Sequence, residues 1–174
     1  MRDRRRVWGL LPMLLLFAVA GCLDPAPGPP FEWAPAPAEH RGRVYVYRSD
    51  ELRSLSVVKV SIDGLDIGSF RDGEYETLEI AVGKHRVRAG MRGLGYFNMG
   101  WNESSFRVEA GEVAFLQLQV RIDAPREPAL GGPRELEIGG RPERSVSQNI
   151  FIIRRPAAKA AEDLKTMRRL PNSS

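Results

Sequence analysis

One thiol, Cys22, and two imidazoles, His40 and His85, are the groups in this chain best suited to covalent or metal chemistry. A zinc site takes three or four ligands, and no third ligand stands near either histidine at metal-binding spacing. The sequence holds no G-x-S-x-G elbow, no H-E-x-x-H pair and no phosphate-binding loop. Ser54, Ser56 and Ser61 lie without a base at useful spacing. Glu74, Glu76 and Glu79 are acidic, but Glu79 falls on an outward strand position, which a solvated face explains better than a paired acid and base. No catalytic residue and no metal site is therefore assigned, and the chain is expected not to be an enzyme. The segment most able to bind is 90–105 (GMRGLGYFNMGWNESS), where four glycines permit unusual backbone angles around large apolar side chains. Its Arg92, Tyr96, Phe97 and Trp101 could grip a glycan, a peptide or a partner surface. The alternative is that these aromatics cover one open end of a core. No βαβ unit surrounds the glycines, so they are not a dinucleotide fingerprint.

Cys22 stands at the end of a distinctive leader. Residues 1–9 are basic, and 10–21 (LLPMLLLFAVAG) form an apolar run of twelve. A membrane-spanning helix needs about 20 apolar residues, so this run fits the core of a signal peptide instead. It closes on Val19-Ala20-Gly21-Cys22, which resembles the lipobox of bacterial lipoproteins. Small side chains admit the backbone to a peptidase, and the thiol is the nucleophile that can accept a diacylglycerol. The resemblance implies thioether formation at Cys22, cleavage after Gly21 and acylation of the new amino group. Burial of acyl chains is worth ~0.8 kcal/mol per CH₂, so several chains on one residue anchor durably. Covalent lipid on Cys22 is the one non-protein group expected. Residue 23 is leucine rather than aspartate, which by the same resemblance favours the outer membrane, facing the periplasm.

The formal net charge of +4 belongs mostly to the leader, where Arg2, Arg4, Arg5 and Arg6 face one acid, Asp3. Without residues 1–21 the chain keeps 22 basic and 21 acidic residues, so no nucleic-acid partner is expected. A single cysteine also excludes a disulfide framework within the chain. Residues 24–39 (DPAPGPPFEWAPAPAE) carry six prolines, which makes 22–40 a stiff tether. Sixteen extended residues reach on the order of 50 Å. Phe31 and Trp33 within it could dip into a lipid interface, pack on the domain or remain exposed; packing or exposure is the preferred reading.

Positioning of all these groups falls to strands. From Arg43 the pattern takes period two: Val44 and Val46 alternate with Tyr45 and Tyr47, and Val58, Val60 and Ile62 with Lys59 and Ser61. Asp63-Gly64 turns the chain into 67–70. Leu78, Ile80 and Val82 follow, then a Gly83-Lys84 turn into 85–89. Phe106 and Val108, then Leu116 to Ile122, then 149–154 (NIFIIR), complete about eight short strands. The fold class expected is mainly β, an antiparallel β-sandwich over 41–155. Its 113 residues from Arg43 to Arg155 can bury well over half of their unfolded surface. Residues 123–145, rich in proline and glycine, are read as mobile, with a possible short strand over 136–138. Pro156 opens a predicted helix over 157–170, striped by Ala160, Leu164 and Met167, with Glu162 and Asp163 preceding Lys165, Arg168 and Arg169 in the order that suits the helix dipole. Residues 156–174 are thus a C-terminal helix and tail.

The order of these segments resembles the bacterial lipoprotein family called domain of unknown function 2846. Carrying the resemblance are 43–48 (RVYVYR), 58–70 (VKVSIDGLDIGSF), 75–89 (YETLEIAVGKHRVRA) and 109–112 (EAGE) before an apolar strand. It covers about residues 41–155 and implies a non-enzymatic β-sandwich. The 58–70 hairpin is also similar to PEGA-type surface modules. Two departures stand out: Ala114-Phe115 replaces a tyrosine pair, and a long insertion separates Asp123 from Ser145. The function expected is that of a membrane-anchored envelope lipoprotein whose non-enzymatic sandwich serves as a binding or structural module for another envelope protein or the cell wall. The alternative is a small-ligand or glycan carrier with a pocket at the sandwich end. A hydrolase or transferase would need a pocket joining His85 with two carboxylates.

Overall fold

A computed structural model describes residues 26–51, 56–92, 98–121, 136–138, 141–143 and 150–171. The strands are β1 (Arg41–Arg48), β2 (Val58–Ile62), β3 (Leu65–Phe70), β4 (Glu74–Ala81), β5 (Gly83–Arg92), β6 (Asn98–Val108), β7 (Val113–Val120), β8 (Leu136–Ile138), β9 (Arg141–Glu143), β10 (Ile150–Arg154) and β11 (Arg168–Arg169). One helix, α1 (Ala157–Leu164), follows β10. The first sheet runs β10-β7-β1-β4-β11 and the second β3-β2-β5-β6, while β8 and β9 form a separate hairpin. The chain is thus mainly β, with nine strands in the two large sheets.

Alternation explains how the sheets face each other. Val44, Val46, Leu116, Leu118, Ile150 and Ile152 point from the first sheet into one buried cluster. Val58, Val60, Ile62, Val87, Ala89, Phe106 and Val108 meet them from the second. β2 and β3 form a hairpin because Asp63 (φ 52) and Gly64 (φ 86) both take left-handed angles, the requirement of a tight two-residue turn. Both open sides are bridged. On one, the Asn102 side-chain amide donates to the Ile150 carbonyl, and Arg154 reaches the Arg107 carbonyl at 3.1 Å. On the other, Leu170 joins the inner cluster and stands against Gly68 of β3.

Most pairs are antiparallel, but β1 runs parallel to β7, and β11 parallel to β4. The helix is shorter than the 157–170 expected: it stops at Leu164, and Arg168 and Arg169 extend along β4. The free edge of β4 supplies the reason, since Arg168 N–H donates to the Gly73 carbonyl and Leu170 N–H to the Tyr75 carbonyl, at 2.9 and 3.0 Å. The dipole argument fails with it. Glu162 and Asp163 now stand in the last helical turn, where the dipole opposes them. Lys159 offsets this, at 3.8 Å from Glu162 and 3.1 Å from Asp163.

The outward face of the first sheet is not left to solvent. Tyr45, Tyr47, Tyr75 and Phe115 point outward and are buried beneath Ala160, Leu164 and Met167, with Phe31 and Ala34 packed against the same cluster. Residues 28–34 form a strap over the sheet. The Arg169 N–H donates to the Pro29 carbonyl at 2.9 Å, and Pro30 bridges Arg168 in antiparallel fashion. Gly28 (φ 150) is required there, because a Cβ would stand 2.0 Å from the Arg169 carbonyl oxygen.

Candidate functional site

Three arrangements gather the polar and aromatic chemistry of the described residues. The first is the strap face. Tyr45 stacks on Phe115 with ring centroids 5.4 Å apart and planes 15° apart. Phe31 stands edge-on to Tyr75 at 5.1 Å, and Trp33 stands edge-on to Phe31 and Tyr45 at 4.8 and 5.6 Å. These offset and edge geometries suit the ring quadrupoles. Two phenol oxygens hold the strap's backbone: Tyr45 accepts from Ala34 N–H at 2.8 Å and Tyr75 from Glu32 N–H at 3.3 Å. Phe31 is half-buried, but Trp33 remains 56% exposed. Tyr47 donates to Asp163 at 3.1 Å. Burial first, then the Asp163 charge and hydrogen bond, push its phenol well above the usual range, so it stays a neutral donor. Burial likewise raises the Tyr75 phenol, opposed by the Glu32 amide and the Arg169 charge.

The second is the Arg48 network. Arg48 and Asp50 side chains are both wholly buried and pair at 2.6 Å. The guanidinium also donates to the Ser56 and Phe70 carbonyls at 2.6 and 3.0 Å and to the Ser56 hydroxyl at 3.0 Å. Asp50 accepts from Val120 N–H at 2.8 Å, while its own N–H donates to Asp72 at 2.9 Å. Around the local Arg48–Asp50 pair, the bonds to Ser56, Phe70, Asp72 and Val120 reach other strand ends and connections, so the group ties both sheets together at one end of the sandwich.

The third lies at the opposite end. His85 is buried with Nδ1 at 2.6 Å from Asp63 and Nε2 at 2.8 Å from the Ala81 carbonyl. Asp63 also accepts from Arg86 N–H at 2.8 Å. Slight burial raises the Asp63 carboxyl, but the bonds from His85 and Arg86 outweigh it and hold the group below the usual carboxylate range. The arrangement pins the β2–β3 turn to the β4–β5 turn. Because the folded-state value is depressed, its stabilisation is full above the ordinary carboxylate range and is lost as pH falls through the depressed value. Asp63 is about half exposed, so solvent screening keeps the contribution below about 1 kcal/mol. Urea midpoints measured on acidification should fall less steeply for Asp63→Asn than for the wild type; identical slopes would remove the assignment.

His85 therefore meets one carboxylate and a backbone carbonyl among the described residues. There, no group of three or more His, Cys, Asp or Glu gathers as a metal site would, and no helix is long and apolar enough to cross a membrane. His40 lies exposed in the turn before β1. Arg92 ends β5 and Trp101 lies in β6, with the positions of their side chains outside what is described; Tyr96, Phe97 and Cys22 lie outside the described residues altogether. The structure thus leaves the side chains of the four binding candidates outside its description. It does reveal groups that pattern reading passed over. Arg48 and Glu76 share strand parity with inward neighbours, Val44 and Val46 for one, Leu78 and Ile80 for the other. A charge at inward parity was the available signal. Glu74 and Glu76 are buried rather than solvated: Glu74 accepts from Arg71 N–H at 2.6 Å, and Glu76 from Arg169. That bond, more than any other influence, raises the Arg169 guanidinium above its ordinary value.

Compared with known proteins, residues 38–133 match a family model described as protein of unknown function (DUF2846). The match contains β1 to β7 and ends before β8, β10 and α1. No curated protein matches the chain.

Proposed function

The chain belongs to the DUF2846 family, and from that premise we propose that it is a lipid-anchored envelope protein carrying a non-enzymatic β-sandwich. In this reading the signal peptide 1–21 is removed, Cys22 carries the lipid, and the protein resides at the outer membrane on the periplasmic side. The module serves as a binding or structural element for an envelope protein or the cell wall. The observation that carries the proposal is Val19-Ala20-Gly21-Cys22 closing a twelve-residue apolar run, immediately ahead of a chain segment that docks on a β-sandwich. The polar groups described support the non-enzymatic part: Arg48, Asp50, Glu74, Glu76 and His85 each meet backbone or side-chain partners that hold strands together.

Intact-mass analysis of the protein purified from the membranes of cells expressing the full chain tests the anchor. The expected species begins at Cys22 and carries the added mass of about two or three acyl chains. A mature species without lipid overturns the reading. Crosslinking in the native envelope, read by mass spectrometry, identifies the partner; a catalytic turnover traced to the domain would overturn the non-enzymatic assignment.

A further inference from the structure

As a free spacer, residues 24–39 would hold the module on the order of 50 Å from the membrane. The strap removes that length. Gly28 is wedged against the Arg169 carbonyl, Pro29 and Pro30 pair with β11, and the amides of Glu32 and Ala34 are held by Tyr75 and Tyr45. The leash runs only from Cys22 to Gly28, and six residues span at most ~20 Å however they are arranged. A lipid at Cys22 therefore keeps the sandwich beside the bilayer.

One face then has the chemistry to meet it. Trp33 is 56% exposed although Phe31, Tyr45 and Phe115 back its ring. Val113, 37% exposed, lies on β7 two positions before Phe115 and so on the same outward side. Edge contacts with those rings hold the indole in the strap while more than half of it stays open. An indole joins an apolar body to one N–H donor, which suits the headgroup boundary of a bilayer. Leu65 and Val82, the other exposed large apolar residues among those described, sit at the β2–β3 and β4–β5 turns beside the Asp63–His85 contact, not on the outward strands beneath the strap.

We propose that the strap-covered face of the first sheet lies against the lipid surface, with Trp33 seated among the headgroups and 28–34 acting as a clamp that shortens the leash. The proposal rests on the anchoring of Cys22 argued above. Its test uses the full-length processed protein purified from membranes and reconstituted in phosphatidylethanolamine–phosphatidylglycerol vesicles, with ordinary or brominated acyl chains. The emission that disappears in Trp33→Phe belongs to Trp33. That component should fall about twofold in brominated vesicles, as expected for an indole at the interface. A lipidated protein that floats with the vesicles but shows equal Trp33 emission in both overturns the apposed face and leaves the anchor standing. A protein without lipid that neither floats nor is quenched overturns both. Quenching without lipid keeps the lipid-facing surface and removes the anchor.

Discussion

Arg48→Ala should lower the stability of the domain by about 3–5 kcal/mol, the typical cost of leaving one member of a buried ion pair alone. Asp50 would keep its charge in a site its side chain does not share with water. The carbonyls of Ser56 and Phe70 would lose their donor as well. A domain of this size is stable by about 5–15 kcal/mol in all, so the urea midpoint should fall by a large fraction. Arg48→Lys should behave similarly, because an ammonium cannot serve the carboxylate and two carbonyls in one plane. The double variant Arg48→Met with Asp50→Leu should be more stable than Arg48→Ala, since it leaves no stranded charge. An unfolding free energy for Arg48→Ala within about 1 kcal/mol of the wild type would show that the network is ornamental.

Ending the chain at Arg155 should be at least as damaging, although it leaves the matched family region whole. Leu164, Met167 and Leu170 are nearly fully buried, and each contributes roughly 1.5–3 kcal/mol on burial. Their loss would bare Tyr45, Tyr47, Tyr75 and Phe115 on one sheet face. It would also remove β11, against which the strap pairs. Such a patch favours self-association. The expected product binds a hydrophobic dye strongly and sediments as aggregates. A monomeric, dye-silent truncation with an unchanged urea midpoint would mean that the outer layer is dispensable.

The strands were legible because water lies outside the sandwich at most positions, so period two in hydropathy records period two in burial. The second layer on the first sheet was written less openly. Tyr45 and Tyr47 occupy the positions where a solvated face would place polar residues, and two tyrosines between three inward residues mark a strand covered on both sides. What covers them was not legible, because prolines 29 and 30 read as a spacer until β11 offers them a partner. The helix end was misplaced for a related reason. The stripe of Ala160, Leu164 and Met167 continues the helical spacing, but the open edge of β4 competes for the backbone after Leu164 and wins. Parallel pairing of β1 with β7 leaves no local trace, since its partners lie 70 residues apart, as Tyr45 and Phe115 do. Cys22 stands out by the motif that closes its leader, and Arg92, Tyr96, Phe97 and Trp101 by type and composition; the Arg48 and Asp63 networks depend on turns brought together by the whole fold.

That pairing has a kinetic meaning. β1 sits in the middle of its sheet, yet one neighbour is made only when residue 113 has emerged, and the outer layer only when residue 170 has. Contacts so distant along the chain close slowly, after a large loss of chain entropy. A chain synthesised only through β6 can close its hairpins, but β1 still presents one bare edge where β7 will pair. In the exported protein proposed above, that lateness would keep the first sheet from closing until β7 and the segment 157–170 have crossed the membrane.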